Sequence, residues 1–332
     1  MAGAILLCAL VVDAPAASST SSRPLVVTGY IEDGSAPSAI DASATALSWV
    51  GVDGVTLNAS GSGVSPVDGS MRALLRRAHR DGLRAQLLVS NYSNSIGDFS
   101  PHVAAAMLSS ARNCDAVASS LAAIVSSGGW DGLTVDLESL NQHDALALVY
   151  FLTSLRRDLA APISLSVDVG AATSLSGYLA TGFDLSAIGS IATRVVIMSY
   201  DQHGPWSNPG PIGALAWQRR VLSVAMTRVP ARELDLGVAG YGYTWPAGSH
   251  RHDGTSVSDA GARRLVALAG AAAHFDQTVG EWKATLRSGT VLWWSDHRSF
   301  ELRLALARNM GLGGVALWQL ASSDPLVGAS AT

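Results

Sequence analysis

The feature that most constrains this chain is a rhythm: eight short β-rich runs recur along it, separated by longer stretches with helical periodicity. The runs are Leu25–Tyr30, Gly54–Asn58, Ala85–Ser90, Gly132–Glu138, Ile163–Asp168, Arg194–Tyr200, Leu234–Tyr241 and Gly314–Leu320. Each is bounded by turn-forming residues. Between them, Met71–Arg80, Val103–Ser126, Asp144–Leu159 and Ala214–Thr227 carry helix patterns. Strands alternating with helices indicate βαβ units and a parallel sheet. Near-continuous apolar strands indicate a sheet covered on both faces. An open doubly wound sheet would alternate in the same way. The segment after the first run, Gly29-Tyr30-Ile31-Glu32-Asp33-Gly34, however, lacks the G-x-G-x-x-G spacing of a phosphate-binding turn. The predicted fold class is therefore α/β, a (β/α)₈ barrel, and 332 residues suit one such domain.

One interval breaks the rhythm. Between the seventh and eighth runs lie about 70 residues, far more than a crossover helix needs. This interval contains a helix pattern at Asp259–Ala272, β-like pieces at Phe275–Trp282 and Val291–Ser295, and a helix from Ser299 to Met310. The first three pieces read as a small α+β insertion over about 247–297, with Trp293 and Trp294 in its core, and the last as the barrel's own helix. The domain division that follows is 1–22 as signal peptide and leader, and 23–332 as catalytic barrel. Ala4 to Val12 form an apolar run too short to span a bilayer, and Ala14-Pro15-Ala16-Ala17 supplies small residues suited to cleavage. The expected location is secreted or cell-wall associated, with a cytoplasmic chain carrying an apolar first helix as the alternative, and no membrane span is expected. Cys8 falls in that run and Cys114 stands alone, so no internal disulfide is expected in the mature chain.

Composition limits the partners. Hydrophobic residues make up 48% of the chain and charged residues 14%, ample for a large core. The net charge of -4 leaves no basic footprint for nucleic acid. A neutral polymer such as a glycan suits this surface better.

The chemistry concentrates in Trp130-Asp131-Gly132-Leu133-Thr134-Val135-Asp136-Leu137-Glu138. Alternate residues of a strand share a face, so Thr134, Asp136 and Glu138 point the same way. Glu138 ends the strand, and the C-terminal rim is where barrel enzymes work. Two neighbouring carboxylates repel, so one proton affinity rises, and a carboxylic acid then persists near neutral pH to protonate a leaving group. The bland alternative, a buried acidic strand end, does not explain Asp-x-Glu on one face of a core strand.

These residues resemble the D-G-x-D-x-D-x-E signature on the fourth barrel strand of glycoside hydrolase family 18, the chitinase family, and within it the branch of spore-cortex and cell-wall peptidoglycan hydrolases. Met198-Ser199-Tyr200-Asp201 is similar to the family's M-x-Y-D on the sixth strand. Gly314-Val315-Ala316-Leu317-Trp318 is similar to the strand whose Trp floors the sugar subsite. Gly240-Tyr241-Gly242-Tyr243-Thr244-Trp245 resembles its Gly/Tyr-rich seventh strand end. The resemblance covers the chain from about Leu25 onward.

The resemblance implies substrate-assisted catalysis, an exception to the usual two-carboxylate scheme. Glu138 would protonate the glycosidic oxygen while the substrate's acetamide carbonyl attacks the anomeric carbon. Asp136 would orient that acetamide, Tyr200 would bond its carbonyl, and Asp201 would contact the same sugar. The implied substrate is a GlcNAc- or MurNAc-type glycan, with no metal or organic cofactor, and a monomer is the expected state. Trp318 is the expected sugar floor; Tyr30, Tyr243, Trp245, Trp206 and Asn91 are further expected substrate contacts, with core packing equally open for Tyr30, Tyr243 and Trp245 and a turn role equally open for Asn91. Asp131, Thr134 and Met198 are expected to support the site. One departure stands out. Thr134 occupies the place of the signature's middle Asp, a carboxylate that ordinarily shares a proton with the residue at Asp136. The wall-lytic branch tolerates a neutral residue there, and a shifted pH profile is the expected consequence.

Other chemistries read poorly. His250-Arg251-His252-Asp253 reads as a solvated charge cluster rather than a metal site, His203 follows Asp201 toward the cleft, and no G-x-S-x-G elbow is present. The competing function is a silent, lectin-like glycan-binding barrel, and relatives of that kind lose the acid or the Asp that this chain keeps.

Overall fold

The computed structural model describes residues 24–248 and 253–326. The expected leader, and His250, Arg251 and His252, lie outside those residues. Eight strands close into a parallel barrel: β1 (Val26–Glu32), β2 (Trp49–Thr56), β3 (Arg84–Ser90), β4 (Gly132–Asp136), β5 (Ser164–Gly170), β6 (Arg194–Met198), β7 (Leu234–Ala239) and β8 (Gly314–Trp318). Each strand pairs with its sequence neighbours, and β8 closes on β1 through Val26↔Gly314 and Gly29↔Leu317. Burial explains the composition of the strands. All residues of β4 and β7 are buried, because helices cover the outer face and side chains fill the lumen.

The helices start and stop where their sequences dictate. Asp68 accepts from the Met71 N–H at 2.9 Å to begin Gly69–Arg80, and Asp296 accepts from the Ser299 N–H at 3.1 Å to begin His297–Met310. Gly129 and Gly311 end helices in the left-handed conformation. The single helix expected at Val103–Ser126 is two, Pro101–Leu108 and Ala111–Gly128. Ser110 leaves the helical region (φ −132°, ψ 111°), and its Oγ caps the second helix by accepting from the Asn113 N–H at 3.3 Å.

The second strand also needs correcting, for it begins at Trp49 rather than Gly54. Gly51, Asp53 and Gly54 disguise it, and the pairing with β3 is irregular between Asp53 and Val55. Gly51 is required there. A Cβ at that position would lie 2.3 Å from the Tyr30 ring, which occupies the barrel lumen.

Between β7 and β8, Gly242–Trp245, Thr255–Val257, Ala273–Asp276, Glu281–Thr285 and Val291–Trp294 form a five-stranded sheet backed by helix Asp259–Leu268. Its strands pair antiparallel, with Trp294, Leu292, Ala262 and Val266 in a core of its own. The seventh strand thus stops at Ala239, and Tyr241 to Trp245 lead into this sheet.

Candidate active site

The lumen is layered. Near the N-terminal mouth, the half-buried Arg194 pairs with the buried Asp235, and Ser166 donates to Gln86 at 3.2 Å. Above them Tyr30, Leu88, Val196 and Ala316 pack together beneath Trp318. Above that apolar plug, at the C-terminal mouth, stand the carboxyl groups.

Asp136 is the last residue of β4 and 5% exposed; Glu138 follows two residues later, half-buried at the rim. Its backbone is held by one side chain from the end of β3. Asn91 Nδ2 donates to the Glu138 carbonyl at 2.9 Å, and the Glu138 N–H donates to Asn91 Oδ1 at 2.9 Å. The same amide also donates to the Ser100 carbonyl at 3.0 Å. The next residue, Ser139, has φ +58°, as does Asp201 after β6. Left-handed backbone at non-glycine residues is uncommon and concentrates at functional sites. Here it occurs once beside Glu138 and once at Asp201 itself.

Asp201 faces Glu138 across the mouth and accepts from two phenols, Tyr241 at 2.5 Å and Tyr243 at 3.1 Å. Those rings belong to an aromatic wall. Tyr200 meets Tyr241 edge-on at 6.4 Å, Tyr241 meets Tyr243 at 5.6 Å, and Tyr243 contacts both Trp206 (6.1 Å) and Trp245 (6.0 Å). A cavity of about 240 Å³ opens between Glu138, Gly170, Ala171, Met198, Tyr200, Asp201 and Trp217. A second of about 160 Å³ shares Glu138, Gly170, Ala171 and Met198 and continues over Leu140 and Phe183. A larger hollow of about 510 Å³ lies at the opposite mouth, beside Val26, Arg194 and Gly313, remote from the carboxyls of the rim.

The carboxyls are tuned by burial and by one another. Burial, then the neighbouring Asp201 and Asp98 carboxylates, push Glu138 up to about 7. Burial, then Glu138, Asp168 and Asp53, hold Asp136 well above the ordinary range. Burial also raises Asp201, against the two phenols that stabilise its charge. A glutamic acid that stays protonated near neutrality can deliver a proton, and a neighbouring acid can orient a polar substrate group.

The sequence expectations fare unevenly. Glu138, Asp136, Tyr200, Asp201 and Met198 converge at one mouth, with Trp318 partly exposed over Tyr30 at a ring distance of 5.7 Å. Trp206 is 47% exposed on the rim. Three expected sugar contacts are corrected. Asn91 is wholly buried and clamps the Glu138 backbone instead of lining the cleft. Tyr30, 2% exposed, lies beneath Trp318 with its hydroxyl donating to Asp168 at 3.2 Å. Trp245 is fully buried, its Nε1 donating to the Gly204 carbonyl at 3.2 Å. Tyr243 is nearly buried and serves the wall by holding Asp201. Asp131 sits at the far end of β4, bonding His79 Nε2 and the Ala85 N–H, each at 2.9 Å, so its support is to the barrel frame. Thr134 is buried with its hydroxyl unpartnered. Asp168, Asp53 and Trp217 stand at the site without having been expected there, and Tyr241, read only as part of a strand-end motif, holds Asp201. The first had a readable signal: Ser166 and Asp168 alternate as polar residues on one face of a core strand, just as Thr134 and Asp136 do. Among the described residues, no group of three or more His, Cys, Asp or Glu side chains is arranged to hold a metal ion, and no helix is long and apolar enough to cross a membrane.

A proton-holding glutamate at the C-terminal mouth of a parallel barrel, faced by a second acid and walled by aromatic rings, is the equipment of a glycoside hydrolase. The comparison with known families agrees: the chain belongs to the glycosyl hydrolases family 18, whose model matches residues 72–324. It is 25% identical over 250 residues to the cortical fragment-lytic enzyme of Bacillus anthracis, covering 72% of this chain and 57% of that protein. The chain spans about half the length of several curated relatives that it matches. Among solved structures, a chitinase from Chromobacterium violaceum superposes with a TM-score of 0.81 at 28% identity, covering 91% of this chain and 96% of that one. The Bacillus cereus spore cortex-lytic enzyme SleL shares the fold, with a TM-score of 0.82 at 21% identity over 92% of this chain and 73% of that one.

Proposed function

We propose that the protein hydrolyses β-1,4 bonds of an N-acetylglucosamine-containing polysaccharide, with retention of configuration and with the substrate's acetamide as nucleophile. The observation that carries this reading is the placement of a half-buried Glu138 at the C-terminal mouth two residues beyond a buried Asp136, where burial raises both carboxyls. In the reaction, Glu138 protonates the glycosidic oxygen as the acetamide carbonyl oxygen bonds to C1 and the C1–O bond breaks. Asp136 turns up to accept the acetamide N–H, and the Tyr200 hydroxyl donates to the acetamide oxygen. The resulting oxazolinium ion is opened by water, whose proton returns to Glu138. Trp318 floors the bound sugar and Trp206 extends the contact along the rim. The names of the relatives, a cortical fragment-lytic enzyme and a chitinase, support a wall or chitin-type glycan and a site of action outside the cell or at its wall.

The test is mass spectrometry of products from purified peptidoglycan and from chitin oligosaccharides, each incubated with wild type and with Glu138→Gln. New reducing-end GlcNAc fragments from wild type, lost by about 10²- to 10⁴-fold in the variant, are the expected result. Binding without cleavage by folded wild type would favour a lectin-like barrel instead.

A further inference from the structure

Thr134 cannot hold a charge, yet the lumen beside it is rich in acid. Parallel pairing sets Thr134 beside Ser166 and Val135 beside Val167. The same register carried one residue further brings Asp136 alongside Asp168, on adjacent strands about 4.8 Å apart. Asp168 is 4% exposed, and its partner is the Tyr30 hydroxyl, reaching across from β1 at 3.2 Å. Asp136 Oδ1 is buried with no hydrogen-bond partner in the protein. Two adjacent buried carboxyls cannot both ionise, so such a pair retains one proton. A phenol donating to one member favours the charge there and leaves the proton with the other.

We propose that Asp168 is the carboxyl with which Asp136 shares its proton, a positioning residue on β5 that does what Thr134 on β4 cannot. This rests on the reading of Asp136 as the group that orients the acetamide. Before substrate binds, Asp168 carries the negative charge, steadied by Tyr30, and Asp136 holds the proton; as Asp136 turns toward the substrate it leaves that proton on Asp168 and accepts the acetamide N–H as a carboxylate. The groups facing the pair are Tyr30 from β1, Asp53 from β2, Glu138 after β4, Tyr200 after β6, and Asp235 of β7 with its partner Arg194. All but Arg194 are acidic or neutral, and Arg194 is already paired, so no cation replaces the shared proton. Burial and these carboxylates raise Asp168, opposed by the Tyr30 hydrogen bond.

Two readouts test this. The first is turnover against pH of a fluorogenic chitobioside by wild type, Asp168→Asn, and the double variant Thr134→Asp/Asp168→Asn. The single variant should lose about 10- to 100-fold in kcat with little change in KM and a displaced pH profile. The double variant, which returns a carboxyl to β4, should recover most of the loss. The second is ¹³C-carboxyl titration of Asp136 by NMR, which needs no activity: its pKa should fall in Asp168→Asn. Should that variant not fold, Tyr30→Phe is the alternative, with a lower kcat and an altered profile expected. Active wild type with an unchanged single variant, or no rescue in the double, would overturn the proposal and leave the hydrolase reading intact. No turnover by wild type would overturn the hydrolase reading, while an unmoved Asp136 titration would still refute the pairing.

Discussion

Glu138 is held in a position set by its neighbours more than by its own strand. β4 ends at Asp136, and the two residues beyond it would be free to wander without the Asn91 amide on the Glu138 backbone. Asn91→Ala removes an acceptor and a donor at once, leaving the Glu138 N–H and C=O without their partners at about 1–3 kcal/mol each. The expected outcome is a large fall in kcat with the fold retained, measured by initial rates alongside chemical denaturation. Loss of stability without loss of turnover would show that Asn91 serves the fold alone. The sequence exposed Glu138 and Asp136 through simple alternation, but could not distinguish Asn91 as a clamp from Asn91 as a cleft amide. That distinction depends on which groups come within 3 Å across 47 residues of chain. Tyr30 and Trp245 misled for a related reason. An aromatic at a strand end sits equally well above or below the rim, and only packing decides.

At the level of elements, most of the barrel was legible because parallel strands buried on both faces must be apolar runs, and their covering helices must be amphipathic. The first half of β2 escaped because the lumen asks for Gly51 to admit Tyr30, and glycine hides a strand. Less legible still was how the inserted sheet attaches. Glu281, on an insertion strand, accepts from the Ile212 and Gly213 N–H groups, each at 2.8 Å, and pairs with Arg303 of helix His297–Met310 at 3.0 Å. Arg303 Nη2 in turn donates to the Gly213 carbonyl at 2.6 Å. Insertion, barrel helix and the loop after β6 thereby meet at one buried ion pair, both members 1% exposed. Ile212 packs with Tyr241, Tyr243 and Trp245, so this joint backs the wall that holds Asp201. Glu281→Ala should cost about 3–5 kcal/mol by leaving the Arg303 charge buried and uncompensated. It should also raise KM by loosening the wall. Urea denaturation and substrate saturation curves check both effects, and a variant as stable as wild type would refute the joint.

Across the whole molecule, the buried acids set the response to pH. Burial raises Glu138 and Asp53 to about 7 and Asp259 to about 8. A carboxyl whose folded pKa lies above its unfolded value binds its proton more tightly in the native state. Its stabilising contribution is complete below about pH 4 and is lost as pH rises through 7 to 8. Asp115 and Asp276, lowered by hydrogen bonds, act oppositely, but their window lies below pH 4. Between pH 5 and 8 the melting temperature should therefore fall with rising pH, as followed by circular dichroism. A flat or rising profile would mean that these acids are not held protonated in the native state. Two of these acids, Glu138 and Asp53, stand in or over the barrel lumen, whereas Asp259 lies on the inserted helix.

The proposed reaction requires these acids to serve an acetamide on the substrate. The most direct measurement compares initial rates on two aryl β-glycosides of the same disaccharide length, one built from GlcNAc units and one with hydroxyl in place of acetamide at C2. Turnover of the first and none above background of the second is the expected result, because on the second Asp136 and Tyr200 would have no acetamide to position. Comparable turnover of both would rule out acetamide participation and would call for a nucleophile supplied by the protein.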